Sequence, residues 1–244
     1  TTRSTLRRED NLRVTTADGN TVPATIAGHD PGTDVAVLRF EGESAARGEL
    51  AAIPKPGELA LAVGRSANTG PNVSLGVVSA IGKPWQTWQG GKIDAYIRLD
   101  VNLYPGVSGA AVVNTAGALI GVVSGVLSRI APLAIPSATI ERVVAQLLSR
   151  GTVTRPWLGV GVQSVAQGLV VLTADPETPA GKAGIIVGDI LVSIGGAVVR
   201  DPMDLRNVLS QHASGDSVAV SLIRGGESRE LPVILGERPA RSRQ

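Results

Sequence analysis

The chain has 244 residues, of which 43% are apolar and only 2% aromatic, with 30 glycines, 15 prolines, two histidines, no cysteine and a formal net charge of +2. That length allows two domains with real cores, and the absence of cysteine excludes disulfides, thiolate metal sites and a cysteine nucleophile. The charge balance excludes a basic protein built to coat nucleic acid: no aromatic-interleaved basic patch is present, and Arg3, Arg7, Arg8 and the tail 238–244 read as solvated ends.

Cores must be built from Val, Leu, Ile and Ala, and the Gly and Pro content favours many short strands. No apolar run approaches the roughly 20 residues that span a bilayer, and residues 1–10 are polar and basic. A soluble chain is therefore expected, with membrane attachment only through an anchor upstream of Thr1. No pattern for a metal or cofactor is read.

In chain order, Leu12-x-Val14-x-Thr16, the turn Ala17-Asp18-Gly19-Asn20 and residues 21–27 predict strand, turn and strand. His29 and the Asp30-Pro31-Gly32-Thr33 that follows it read as the turn leading to a third, buried strand over residues 34–40 with an acid at its start. Strands are expected over 59–64, 73–81 and 94–99. The loop 82–91 carries Trp85 and Trp88, which read as surface packing ahead of a substrate cleft.

The stretch Tyr104-Pro105-Gly106-Val107-Ser108-Gly109-Ala110-Ala111 then presents a hydroxyl on a tight turn between two glycines. Such a turn can aim the N–H groups of Gly106 and Ser108 at one point, as an oxyanion hole requires. A strand, a hairpin turn and a strand follow over 111–123. Residues 130–137 read as a last strand, and Ile140, Val143, Val144, Leu147 and Leu148 give residues 138–150 a helical period ended by Gly151. Residues 151–155 read as a linker.

Asp30-Pro31-Gly32-Thr33-Asp34-Val35-Ala36-Val37-Leu38 and the Ser108 turn together resemble the trypsin-like serine proteases of the HtrA/Deg family. The resemblance implies a double β-barrel of six-stranded halves, with Asp34 as the acid and Ser108 as the nucleophile. It also places Asn102 at the floor of the specificity pocket, where a neutral side chain gives no reason for a basic-residue preference. The family pattern sets a histidine base in a Thr-Asn-Asn-His-Val-Val segment, and the corresponding residues here are Thr1-Thr2-Arg3-Ser4-Thr5-Leu6. Ser4 stands where the base is expected, and a hydroxyl cannot act as a general base at neutral pH. Neither His29, close in sequence to Asp34, nor His212, at a helix end, fits the role. Val107 and Ala110 also depart from the Asn and Gly of the family's turn.

From Trp157 the chain resembles a PDZ domain, on Trp157-Leu158-Gly159-Val160, Gly168-Leu169-Val170-Val171 and Ala183-Gly184-Ile185-Ile186-Val187-Gly188-Asp189-Ile190-Leu191. A helix over 201–211 and strands over 218–224 and 230–234 complete it. PDZ domains add a peptide C-terminus as a strand to a sheet edge. The resemblance implies a capturing loop of Trp157, Leu158 and Gly159, an edge strand from Val160, and a facing helix offering Leu205, Val208 and Leu209, for which the alternative is core packing.

The expectation is a mainly β protein: a trypsin-like domain over 1–150 whose first barrel is short by about two strands, a PDZ domain over 151–237, and a basic tail over 238–244. Family resemblance implies an extracytoplasmic, periplasmic-type protein acting on unfolded polypeptides or peptide C-termini. Two readings of its activity stand. In one, the base is lost and the chain is a peptide-binding, chaperone-like or scaffold protein; in the other, it is an active endopeptidase whose histidine lies upstream of Thr1. A third makes the chain a PDZ-led adaptor. Members trimerise through an N-terminal segment, which these residues do not include, and that puts a homo-oligomer here in doubt.

Overall fold

Alternation of apolar and polar residues folds nearly half of the chain into short antiparallel strands. The computed structural model describes residues 1–6, 10–16, 18–42, 48–66, 70–102, 104 and 107–237. It divides into two units, Thr1–Val153 and Thr154–Gln244.

In the first unit β1 (Arg13–Thr15), β2 (Thr21–Asp30) and β3 (Val35–Phe40) form an antiparallel sheet, three-stranded among the described residues. This half was expected to fall short of six strands by about two, and the described residues place three strands in it. The hydroxyl-rich opening has no alternating apolar positions; it makes a 3-10 turn at Arg3–Thr5 and touches the sheet through a single bridge from Thr2 to Val35. His29 is also a correction, since it lies inside β2, opposite Ala36, and not in a surface turn. The apolar periodicity of β2 carries the strand through to Asp30, and only then does Pro31-Gly32 break it.

The second half closes as a barrel of β4 (Leu59–Ser66), β5 (Gly70–Gly82), β8 (Tyr96–Asp100), β9 (Ala111–Val113), β10 (Leu119–Ser124) and β11 (Leu133–Pro136), in the ring order β10-β11-β8-β5-β4-β9. A two-stranded ribbon, β6 (Trp85–Gln86) with β7 (Lys92–Ile93), lies in the connection from β5 to β8. Ala60, Ala62, Val78, Val112 and Val123 point inward and are fully buried, so small aliphatic side chains fill the barrel without aromatics. Trp85 packs edge-on to Tyr96 with ring centroids 6.1 Å apart, whereas Trp88 is 68% exposed.

Helix α1 (Ser137–Arg150) buries Val143 and Leu147 against Val35, Ile93 and Ile135. Its first turn is tied down at Asp94, whose Oδ2 accepts Thr139 Oγ1 at 2.7 Å and Arg142 Nη2 at 2.9 Å. Gly151 ends the helix in the left-handed region, its N–H donating to Leu147 O at 2.9 Å.

The second unit contains β12 (Pro156–Trp157), β13 (Val160–Val165), β14 (Gly168–Ala174), α2 (Pro179–Lys182), β15 (Ile190–Ile194), β16 (Ala197–Val198), α3 (Pro202–Leu209), β17 (Ser217–Arg224), β18 (Glu227–Ile234) and β19 (Gly236–Glu237). Its main sheet runs β13-β14-β15-β17-β18, with β16 added to β15 and β12 paired separately with β19. Leu169, Val171, Leu191, Ile194, Val220, Leu222 and Val233 form the core between this sheet and the two helices. α3 is shorter than the sequence suggested. Asp201 caps its start by accepting the N–H groups of Met203 at 2.7 Å and Asp204 at 2.8 Å, and its last turn ends at Leu209.

Candidate catalytic cleft and peptide groove

The acid is positioned by a turn that locks on itself. Asp30, at the end of β2, accepts the N–H groups of Gly32 and Thr33, both at 3.1 Å, and the Thr33 hydroxyl at 2.7 Å. Thr87 clamps the same turn from outside, donating its hydroxyl to Gly32 O at 2.7 Å. The chain then enters β3 through Asp34, which is held at φ 61°, a left-handed conformation uncommon outside glycine. Such outliers persist where surrounding structure over-determines them, and here three donors converge on the side chain.

Asp34 is 2% exposed. Its Oδ1 accepts the Ser4 N–H at 2.7 Å; its Oδ2 accepts the hydroxyls of Ser4 at 2.9 Å and of Ser124, at the end of β10, at 2.7 Å. Ser4 Oγ lies 3.4 Å from Thr2 Oγ1, and that oxygen lies 3.3 Å from Ser108 Oγ. Acid and serine are therefore joined through two hydroxyls, in the order Asp34, Ser4, Thr2, Ser108. Every link is a hydroxyl, a group that passes a hydrogen bond along but does not take up a further proton at neutral pH.

Ser108 sits on a tight turn that returns into β9. Gly109 takes φ 88° and donates its N–H to Val123 O at 2.8 Å, while Val123 N–H returns to Ala110 O at 2.9 Å. Ser108 Oγ also accepts the Gly125 N–H at 3.2 Å. Of the expected oxyanion pair, Gly106 lies outside the described residues. Asn102 is exposed, with its N–H donating to Ser74 Oγ at 3.1 Å. A cavity beside Ser108 is lined by residues 125, 126 and 128–132.

In the second unit, Trp157 pairs with Gly236 through β12 and β19, and Leu158 is buried in the core with its C=O accepting the Ala180 N–H at 2.8 Å. Gly159 has φ 83°, and a Cβ there would lie 2.4 Å from Thr178 Cβ, so no other residue fits this bend. Val160 starts β13, the edge strand of the sheet. Leu205, Val208 and Leu209 are 6%, 8% and 8% exposed and belong to the core, with Val160 and Val162 packed partly against the same cluster. Core packing thus accounts for all three helix residues. His212 follows α3, its Nδ1 3.9 Å from Asp216 Oδ2.

Thr2 and Ser124 escaped the sequence reading. Ser124 has a visible signal, a lone hydroxyl ending the apolar run of β10; Thr2 has none, because a buried threonine next to Ser4 looks like any other residue of a polar opening.

A six-stranded barrel fed by an acid-bearing β3 and a serine turn, followed by a sheet capped by α3, defines a two-domain protein of known type. Residues 1–122 match the family model of the trypsin-like peptidase domain and residues 156–235 that of the PDZ domain. The chain belongs to the trypsin-like peptidase family and carries a PDZ domain behind the peptidase domain.

More narrowly, it is a homologue of the HtrA/Deg serine endopeptidases. It is 33% identical to protease Do-like 1, chloroplastic, of Arabidopsis thaliana, over 97% of this chain and 60% of that protein. It is 31% identical to the probable periplasmic serine endoprotease DegP-like of Brucella suis biovar 1, over 94% of this chain and 48% of that protein. The chain thus spans about half to three-fifths of the length of these curated relatives. Among solved structures, the HtrA-type protease AlgW with decapeptide superimposes with a TM-score of 0.82 at 27% identity, over 99% of this chain and 79% of that one.

Proposed function

We propose that this chain is an HtrA/Deg-type homologue whose peptidase domain lacks a working base and serves to hold unfolded polypeptide, as a peptide-binding, chaperone-like or scaffold protein. One observation carries the reading: at the position expected for the base, Ser4 places a hydroxyl 2.9 Å from Asp34, and Thr2 fills the remaining step to Ser108. Without a proton acceptor a serine hydroxyl is a poor nucleophile. Asp34, Ser4 and Ser108 hold the acid, base and nucleophile positions in this reading, with Gly106 and Ser108 as the oxyanion donors.

The PDZ domain takes peptide C-termini at the loop of Trp157, Leu158 and Gly159 and along the β13 edge from Val160. The neighbour solved with a decapeptide and the free edge of β13 support this. The relative named periplasmic supports an extracytoplasmic place of work. Among the described residues no helix is long and apolar enough to cross a membrane.

The second reading, an active endopeptidase with its histidine upstream of Thr1, is favoured by the retention of both Asp34 and Ser108 on one hydrogen-bonded chain. A fluorophosphonate probe separates the two. The expected result is no Ser108-dependent labelling and no turnover of casein by the folded protein. Labelling that disappears in Ser108→Ala would establish a functional base and replace the first reading with the second.

A further inference from the structure

Beyond β10 the chain opens a cavity of about 490 Å³. It adjoins the serine, because Gly125 belongs to both: its N–H donates to Ser108 Oγ at 3.2 Å, and a Cβ built on it would lie 3.7 Å from the same oxygen. The rim is apolar and stands in water, with Ile130 96% and Val126 55% exposed. Large aliphatic side chains held in solvent around a concave site mark a contact surface.

The lining carries one charge, the guanidinium of Arg129, and no acid. Among the described residues Arg129 enters no ion pair. Beside it, the Ser128 hydroxyl accepts the N–H groups of Ile130 at 3.1 Å and Ala131 at 3.4 Å, which leaves its own proton to donate. A planar five-donor cation, a hydroxyl donor and an aliphatic rim fit a carboxylate carried on an extended chain.

We propose that this cavity binds a carboxylate of a polypeptide lying across Ser108, with Arg129 as the cation, Ser128 as the second donor, and Val126 and Ile130 covering the adjoining aliphatic stem. This rests on the reading that the cleft holds polypeptide, and it gives the cleft a substrate class: chains presenting an acidic side chain or a carboxyl terminus. Arg129 sets this selectivity.

The test uses the full chain and three fluorescent, unstructured decapeptides followed by anisotropy: one amidated with a single central Glu, its amidated Gln counterpart, and the Gln peptide with a free C-terminus. The Glu peptide should bind about fivefold more tightly than the Gln amide, in the range of an exposed ion pair, and the margin should shrink in high salt. Arg129→Gln should erase the margin and Arg129→Glu should reverse it; Arg129 is exposed, so neither change threatens folding. If the margin that follows Arg129 appears only with the free C-terminus, the carboxylate is the chain end.

The PDZ domain also captures chain ends, so only the part of any preference that responds to Arg129 counts in favour. A preference untouched by both Arg129 variants overturns the proposal while leaving peptide binding intact. Failure of every peptide to bind overturns the proposal together with the reading beneath it. Ser108-dependent cleavage that still follows the charge at residue 129 supports the proposal and removes only the claim that the cleft is inactive.

Discussion

Two aspartates, one in each unit, are almost wholly removed from solvent and receive opposite partners. Asp189, 1% exposed, meets Arg224 in a forked contact, Nε at 2.7 Å and Nη2 at 2.8 Å, and accepts the Ile186 N–H at 2.9 Å. Asp34, 2% exposed, meets an N–H and two hydroxyls and enters no ion pair among the described residues. A carboxylate matched by a fork-shaped cation has no further partner to seek. One held by hydroxyls, at a left-handed backbone position beside a serine turn, has the donors of a catalytic acid without the imidazole such an acid orients. The first arrangement locks a sheet together; the second, in the reading proposed above, is the frame of a site that lacks its base.

The strongest way to break the contrast is to return that group. In Ser4→His the ring would grow from a backbone whose N–H already donates to Asp34 Oδ1 at 2.7 Å, toward the space now spanned by the Thr2 and Ser4 hydroxyls. A positioned general base contributes of order 100-fold or more, so Ser108-dependent fluorophosphonate labelling, absent from the wild type, should appear at a level about 100-fold above background. The rise should follow an inflection near the ordinary imidazole range, about pH 6.5, and vanish in Ser4→His combined with Ser108→Ala. No gain in a folded Ser4→His protein would mean that Ser4 is not the place of the base.

A smaller effect is expected on the other side of the comparison. Burial alone would push the Asp189 carboxyl up, but hydrogen bonds from Arg224 and the Ile186 N–H, with the Arg224 charge, hold it below the usual carboxylate range. Its folded pKa therefore lies under the unfolded one, so its contribution is complete above about pH 4 and fades as the pH falls through the folded value. Asp189→Asn should lower the melting temperature of the second unit by about 10 °C at pH 7. It should also flatten the acid limb of its stability profile, a change that calorimetry between pH 2 and 7 would register. An unchanged acid limb would show that the pair is not what the PDZ unit loses in acid.

Much of this was legible in the residues, for reasons that differ by element. The acid strand and the barrel strands announce themselves because burial of one face imposes alternation, and Gly and Pro punctuate them. The PDZ sheet was legible through its glycine-bearing turn at residues 183–191, where backbone conformation restricts residue choice. The first half of the peptidase domain was expected to be short by about two strands, and among the described residues it forms three. His29 was misplaced because Asp30-Pro31-Gly32 reads as a turn a residue too early, while the pairing of β2 with β3 runs through Asp30 to Val35. Ser4 at the position expected for the base was visible, but the hydrogen bonds it makes were not. That the hydroxyls of Ser4 and Ser124, far apart in sequence, close on the acid, and that Thr2 bridges Ser4 to Ser108, are properties of packing alone.

The finest test of the comparison lies at Thr2. Its side chain is fully buried, and its Oγ1 is the sole step between Ser4 and Ser108. Thr2→Val keeps the shape and removes the hydroxyl, so two neighbouring oxygens lose a partner while Ser4 retains Asp34 and Ser108 retains the Gly125 N–H. Each neutral hydrogen bond of this kind is worth about 1 kcal/mol net, so with two lost the first unit should lose about 1–2 kcal/mol in urea denaturation. Binding at the PDZ groove should be untouched. If Thr2→Val is instead as stable as the wild type, the hydroxyls at the cleft are neighbours rather than a chain, and Asp34 is held by Ser4 and Ser124 alone.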